Sequence, residues 1–266
     1  FEWALGYFQI PANAIVLSGA YSSSLVLLSV TIAVFASFMA FTVANQAALV
    51  SSVLQRHTLL AVGSMALGTG IWGMHFVGML AFDLGTPVNY DLWTTFLSYI
   101  PGWIAGWVAL SILTGQSIAV RQILTGGFLT GAGIGAMHYT GMSAMEMSAL
   151  LKYSPWFFGL SIVVAMGLAM LAIWIRFGLS RLKRFAGTRY RIVGAASVVM
   201  GLANCAMHYT GMTAARFVAP SNAEIPSEHG EISIFLAAAV ALVIVIFITI
   251  VLGVTLLVKS ENKVTV

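Results

Sequence analysis

The placement of charge constrains this chain more than any other feature. Uncharged stretches run through 57–82, 92–120, 122–145, 153–175, 192–215 and 232–258, and a longer one, 3–55, holds a further apolar segment at 21–45. Each is long enough for a helix to cross the hydrocarbon core of a bilayer, which takes about 20 residues. Charged residues make up 8% of the chain, against about 25% in soluble domains, too few to cover a surface facing water. The fold class expected is therefore all-α: a polytopic membrane protein of seven transmembrane helices. Little chain is left over for a soluble catalytic domain. One cysteine, Cys205, excludes an internal disulfide framework.

The loops alternate in charge. One side collects Arg56, Arg121, Arg176, Arg181, Lys183, Arg184, Arg189, Arg191, Lys259 and Lys263. The other has only Lys152 and Arg216, together with Glu2, Asp83, Asp91, Glu146, Glu224, Glu228 and Glu231. Short basic loops stay cytoplasmic, so the N-terminus is expected outside and the C-terminus inside. The cluster at 176–191 reads first as this topology signal, then as a contact for anionic lipid. No aromatic platform or folded domain accompanies it, which excludes nucleic acid as a partner. Residues 1–20, with Trp3, Tyr7 and Phe8, read as an outer interfacial segment. Residues 21–258 form the membrane domain, and 259–266 begin a cytoplasmic linker toward an output domain beyond them.

An internal repeat lies inside the spans. Met74-His75-Phe76-Val77-Gly78-Met79, Met137-His138-Tyr139-Thr140-Gly141-Met142 and Met207-His208-Tyr209-Thr210-Gly211-Met212 occupy the second, fourth and sixth. Asp83, Glu146 and Arg216 each stand 8 residues beyond the motif histidine. At about 1.5 Å per residue, all three histidines lie roughly 12 Å below the outer charges, at one depth. The simplest architecture is three helix pairs, each with the motif on its second helix, plus a seventh helix. A pseudo-threefold arrangement would bring the motifs together.

The motif residues suit a metal. On a helix, His at i and Met at i+4 share a face, which makes His75, Met79, His138, Met142, His208 and Met212 the candidate ligands. Met74, Met137 and Met207, rotated by about 100°, are weaker candidates, as is Cys205. The intervening glycine removes bulk and permits close approach. Soft thioethers with imidazole favour Cu(I), and imidazole also suits Cu(II) and zinc. Hard cations prefer oxygen, and no carboxylate repeats at this level. Asn204, Tyr139 and Tyr209 are candidate hydrogen-bond partners of the imidazoles. A hydroxyl satisfied by packing is the plainer role for the two tyrosines. Phe76 and Val77 break the pattern and exclude a site built on three phenols.

These three motifs, on alternate helices of seven, resemble the MHYT domain, a bacterial integral-membrane sensor module, over about residues 21–258. The resemblance implies copper bound by the Met and His residues and a diatomic gas (oxygen, carbon monoxide or nitric oxide) or redox state as the signal. It also implies a cytoplasmic GGDEF or EAL output domain that makes or degrades cyclic di-GMP, in the bacterial inner membrane. A homodimer is compatible with it. No catalytic motif occurs in these residues. A metal transporter would want ligands at several depths, and haem does not call for six repeated methionines. A metal-free proton or lipid sensor is the remaining alternative. Elsewhere, His57 and His229 read as solvated. Gly127, Gly131 and Gly135, and Gly102 with Gly106, predict close helix packing. Trp103 and Trp107 share a face and read as packing, and Pro101 predicts a kink in span three.

Overall fold

The computed structural model describes residues 6–10, 14–115, 119–181, 189–219 and 234–264. The helices follow the uncharged runs: α1 (Ser23–Ala47), α2 (Val53–Leu80), α3 (Leu92–Leu97), α4 (Tyr99–Leu113), α5 (Val120–Ser143), α6 (Pro155–Arg181), α7 (Arg189–Ala214) and α8 (Ile234–Val264). The chain is thus an all-α polytopic membrane protein of seven spans, α3 and α4 being two parts of one. By length and apolarity alone, α1, α2, Leu92–Leu113, Pro155–Arg176 and Arg191–Ala214 qualify to cross a bilayer. Helix α5 is diluted by six glycines but keeps 24 residues, enough for about 36 Å. In α8, Leu236–Val251 is the shorter apolar stretch found among the described residues.

Span three breaks at Ser98, not at Pro101. A proline ring clashes with the carbonyl four residues earlier, here that of Leu97, so the disturbance precedes the proline.

Six spans close a ring in chain order, α1 to α2 to α4 to α5 to α6 to α7, and α7 packs back on α1. The motif helices α2, α5 and α7 also meet one another. Glycines permit these approaches. A Cβ on Gly68 would stand 2.8 Å from the Trp103 backbone, one on Gly131 2.5 Å from that of Met166, and one on Gly201 2.8 Å from that of Val34. The three occupy the same register, each seven residues before a motif histidine. Gly127 likewise lies against Met170, and Gly106 against the Ser64 carbonyl. Helix α8 stands outside the ring, against α2.

Short strands tie each repeat at one end of the bundle. β2 (Ala20–Tyr21) pairs with β3 (Phe82–Asp83), β4 (Asn89–Tyr90) with β5 (Met145–Glu146), and β6 (Leu150–Tyr153) with β7 (Ala215–Val218), all antiparallel. β1 (Val16–Leu17) adds to β7, so part of the N-terminal segment joins this layer. The next residue repeats the device: the N–H groups of Ser22, Asp91 and Ser154 donate to the carbonyls of Ala81, Ala144 and Ala214. Tyr21, Tyr90 and Tyr153 are paired with the residue seven beyond each motif histidine. At the far end, Arg56 donates to the Thr114 carbonyl at 3.4 Å and Arg176 to Asn45 Oδ1. Lys183, Arg184 and His229 lie outside the described residues, as do the side chains of Arg181, Arg189, Lys259 and Lys263.

Candidate metal centre

The pseudo-threefold axis passes through the histidines. His75, His138 and His208 are fully buried. Their Nδ1 atoms converge in a triangle with edges of 3.1 Å (His75 to His208), 3.1 Å (His138 to His75) and 3.3 Å (His208 to His138). The rings meet edge to face, with centroids 4.9–5.2 Å apart.

The motif glycines set this geometry. A Cβ on Gly141 would lie 2.4 Å from His75 Nε2, one on Gly211 2.4 Å from His138 Nε2, and one on Gly78 2.4 Å from His208 Nε2. Each imidazole therefore sits on the bare backbone of a neighbouring motif helix, and the three contacts close a cycle. The three Nε2 atoms have no hydrogen-bond partner among the described residues.

Protons alone cannot satisfy this triangle. Each Nδ1 of a neutral imidazole carries either one proton or one lone pair. Three mutually facing nitrogens always leave at least one pair of like kind in contact. A cation at the centre would take all three lone pairs at once. Ligands at about 2.0–2.1 Å from one ion stand roughly 3.3–3.6 Å apart, close to the edges found. The triad can therefore hold a metal ion.

The other predicted ligands divide. Met79, Met142 and Met212 pack into one buried cluster toward the strand end, one helical turn beyond the triad. Met137 and Met207 belong to the main inter-helix core, and Met74 packs with Ala33 and Cys205. Cys205 is buried but is not in the cluster of metal-capable side chains.

The two motif tyrosines take the plainer of their two roles, with the hydroxyl satisfied by packing partners. Tyr139 and Tyr209 stack edge-on against His138 and His208, with centroids at 4.8 Å. Their hydroxyls pair instead with Ser161 and Ser29, each at 2.8 Å. The serine of the remaining repeat is Ser98. Phe76 has no hydroxyl to offer it, and Trp72 Nε1 donates to Ser98 Oγ at 3.1 Å instead. Trp72 thus fills the polar role that Phe76 leaves open. Asn204 does not bond His208: its amide nitrogen and oxygen are both buried without a partner among the described residues. His57 is exposed.

Sequence reasoning missed the rim tyrosines. Tyr21 meets Tyr209, Tyr90 meets Phe76 and Tyr153 meets Tyr139 edge to face, with centroids 5.6, 6.0 and 5.3 Å apart. Their signal was present: each is followed by Ser or Asp and, eight residues on, by Ser29, Ser98 or Ser161.

The family model for MHYT, described as a bacterial signalling protein N terminal repeat, matches residues 68–126 and 131–188. The chain is 40% identical over 202 residues to the bifunctional diguanylate cyclase/cyclic di-GMP phosphodiesterase MucR of Pseudomonas aeruginosa, covering 76% of this chain and 29% of that protein. It is 34% identical over 208 residues to the cyclic di-GMP phosphodiesterase NbdA of the same organism, covering 77% and 26%. It is 32% identical over 218 residues to the signaling protein YkoW of Bacillus subtilis, covering 81% and 26%. The chain therefore spans less than a third of the length of these relatives. No solved structure matches it.

Proposed function

The chain belongs to the MHYT repeat family, and we propose that it is the membrane sensory module of a cyclic di-GMP signalling protein, holding one copper ion between His75, His138 and His208. The observation that carries this reading is the convergence of three Nδ1 atoms, one from each repeat, within 3.3 Å of one another. Copper there would supply an open coordination position for oxygen, carbon monoxide or nitric oxide, and a redox couple. Gly78, Gly141 and Gly211 hold the rings in register. Met79, Met142 and Met212 lie on the strand side, where a soft thioether favours Cu(I) over zinc. Zinc is the second reading, since three imidazoles suit it equally.

The charge asymmetry supports an orientation with the strand end outside and the far end cytoplasmic, in the bacterial inner membrane. The names of the relatives support an output that makes or degrades cyclic di-GMP on the cytoplasmic side. Helix α8, packed on α2, is the element that would pass on a change at the triad.

The test is metal analysis and spectroscopy of the protein in lipid nanodiscs. The expected result is bound copper and a spectral change on exposure to carbon monoxide, nitric oxide or oxygen. Copper-free protein after saturating Cu(I), or bound copper indifferent to all three gases, would overturn the corresponding part of the reading.

A further inference from the structure

Among the three equivalent positions of the motif helices, Asn204 alone is polar. It stands four residues before His208, so it shares that residue's face of α7, one turn toward the far end. The same position in the sister helices is Ile71 and Ile134. All three are fully buried. Both amide atoms of Asn204 lack any hydrogen-bond partner among the described residues. An amide buried in this way is unfavourable, and an isoleucine would remove the penalty. The sequence already uses that apolar solution at the other two copies, so packing gives no reason for the amide.

The two sides of the triad therefore differ. Toward the strands lie the thioethers of Met79, Met142 and Met212. Toward the far end lie two isoleucines and a free amide. We propose that a small ligand of the triad is received on this second side, and that Asn204 binds and orients it there. The chemistry it recognises is a lone pair offered to the Asn204 Nδ2 hydrogens in an apolar surround. Water and a diatomic gas both offer one. Water can also donate to Oδ1 and so satisfies both amide atoms, whereas a diatomic gas accepts only from Nδ2. Asn204 is thus a positioning and discriminating residue for the site, and this inference rests on the copper reading above.

The test uses the nanodisc protein loaded with copper, carbon monoxide as probe, and Asn204→Ile, which gives α7 the residue of its sister helices. N204I is expected to keep its copper, and its metal-free form to unfold at a higher temperature than wild type. Carbon monoxide affinity is expected to fall about 3- to 10-fold, the range for one neutral hydrogen bond. The C–O stretch should move to higher frequency, because a donor at the oxygen favours back-donation. In the Cu(II) form, water held by Asn204 gives a deuterium echo modulation in D2O that N204I lacks. A C–O shift without that modulation assigns the Asn204 amide to the diatomic ligand alone. Should N204I misfold, Asn204→Ala removes the same donor. Copper bound normally with an unchanged stretch and unchanged modulation would overturn the role of Asn204 and leave the metal centre standing. Wild-type protein that binds no copper would overturn both.

Discussion

At the scale of single residues, the motif glycines are as specific as the histidines. The sequence marks Gly78, Gly141 and Gly211 only as small residues on the histidine face. Which helix approaches each of them depends on how the ring closes, and no local pattern encodes that. With the ring closed, each glycine is the floor under another repeat's imidazole. Gly141→Ala places a Cβ 2.4 Å from His75 Nε2 and 2.8 Å from its Cδ2. Overpacking of this kind costs about 1–3 kcal/mol. We expect G141A to lower the unfolding temperature and to weaken metal binding by at least an order of magnitude, measured by calorimetry and metal titration. Gly167 is the matched control within α6, where a Cβ would meet nothing within 4 Å. Gly167→Ala should be neutral or stabilising by about 0.5–1 kcal/mol. Equal losses in the two variants would show that helix flexibility, not ring seating, is what the glycines supply. Trp72 teaches a related lesson. The departure at Phe76 is plain in the sequence, but its compensation through Ser98 depends on a contact 26 residues away.

At the scale of elements, the helices were legible and the strands were not. Uncharged runs of more than 20 residues identify spans almost without further argument. A two-residue strand has no periodicity to detect, and its pairing follows from the helix pair it closes. The three closures share a rim tyrosine: Tyr153 is buried, Tyr90 half-buried and Tyr21 the most exposed. Burial raises the pKa of Tyr21 to about 12, with a smaller contribution from Tyr209, and pushes Tyr90 and Tyr153 well above the ordinary tyrosine value. A pKa that is higher in the folded than in the unfolded state gives stability that is complete below the unfolded value, about 10. That stability is lost as pH rises through the folded value. The strand end should therefore hold to about pH 10 and loosen between about pH 10 and 12. Hydrogen exchange at the β2–β3, β4–β5 and β6–β7 amides would follow this, and Tyr153→Phe should blunt the alkaline response at β6–β7. An alkaline transition unchanged in Y153F would remove the tyrosine from that account. Asp91 behaves in the opposite sense. Its side-chain and backbone bonds to Thr94, which cap α3, hold its carboxyl below the usual range. That cap is present at neutral pH and is lost on strong acidification.

At the scale of the whole molecule, threefold closure and the helix that stands outside it make separate predictions. Depth and copy number were readable from the sequence, but convergence was not, because six-helix closure through the α7–α1 contact is a long-range event. A single shared centre requires one ion per chain. It also requires that His75→Ala, His138→Ala and His208→Ala each abolish tight binding, with double variants no worse than single ones. Three separate sites would each lose about a third of the metal, so stoichiometry decides between the arrangements. That helix is α8, which packs on α2, the copy that carries Phe76 and Val77 in place of the Tyr and Thr of the other two. There, a Cβ on Gly73 would stand 3.1 Å from Ile244 Cδ1, and Tyr99 stacks on Phe247 with centroids 5.8 Å apart. Gly73 lies two residues from His75, so a small shift of α2 at the triad would be felt at the side of α8 that faces it. Interfaces packed this closely respond by discrete movement more readily than by compression. Gly73→Ala should therefore separate binding from transmission. With spin labels at exposed Leu54 and Ile250, copper loading should change the α2–α8 distance in wild type. G73A should bind the same amount of copper with a diminished distance change. A wild-type distance indifferent to copper, or a G73A response equal to wild type, would exclude this seam as the route by which the triad moves α8.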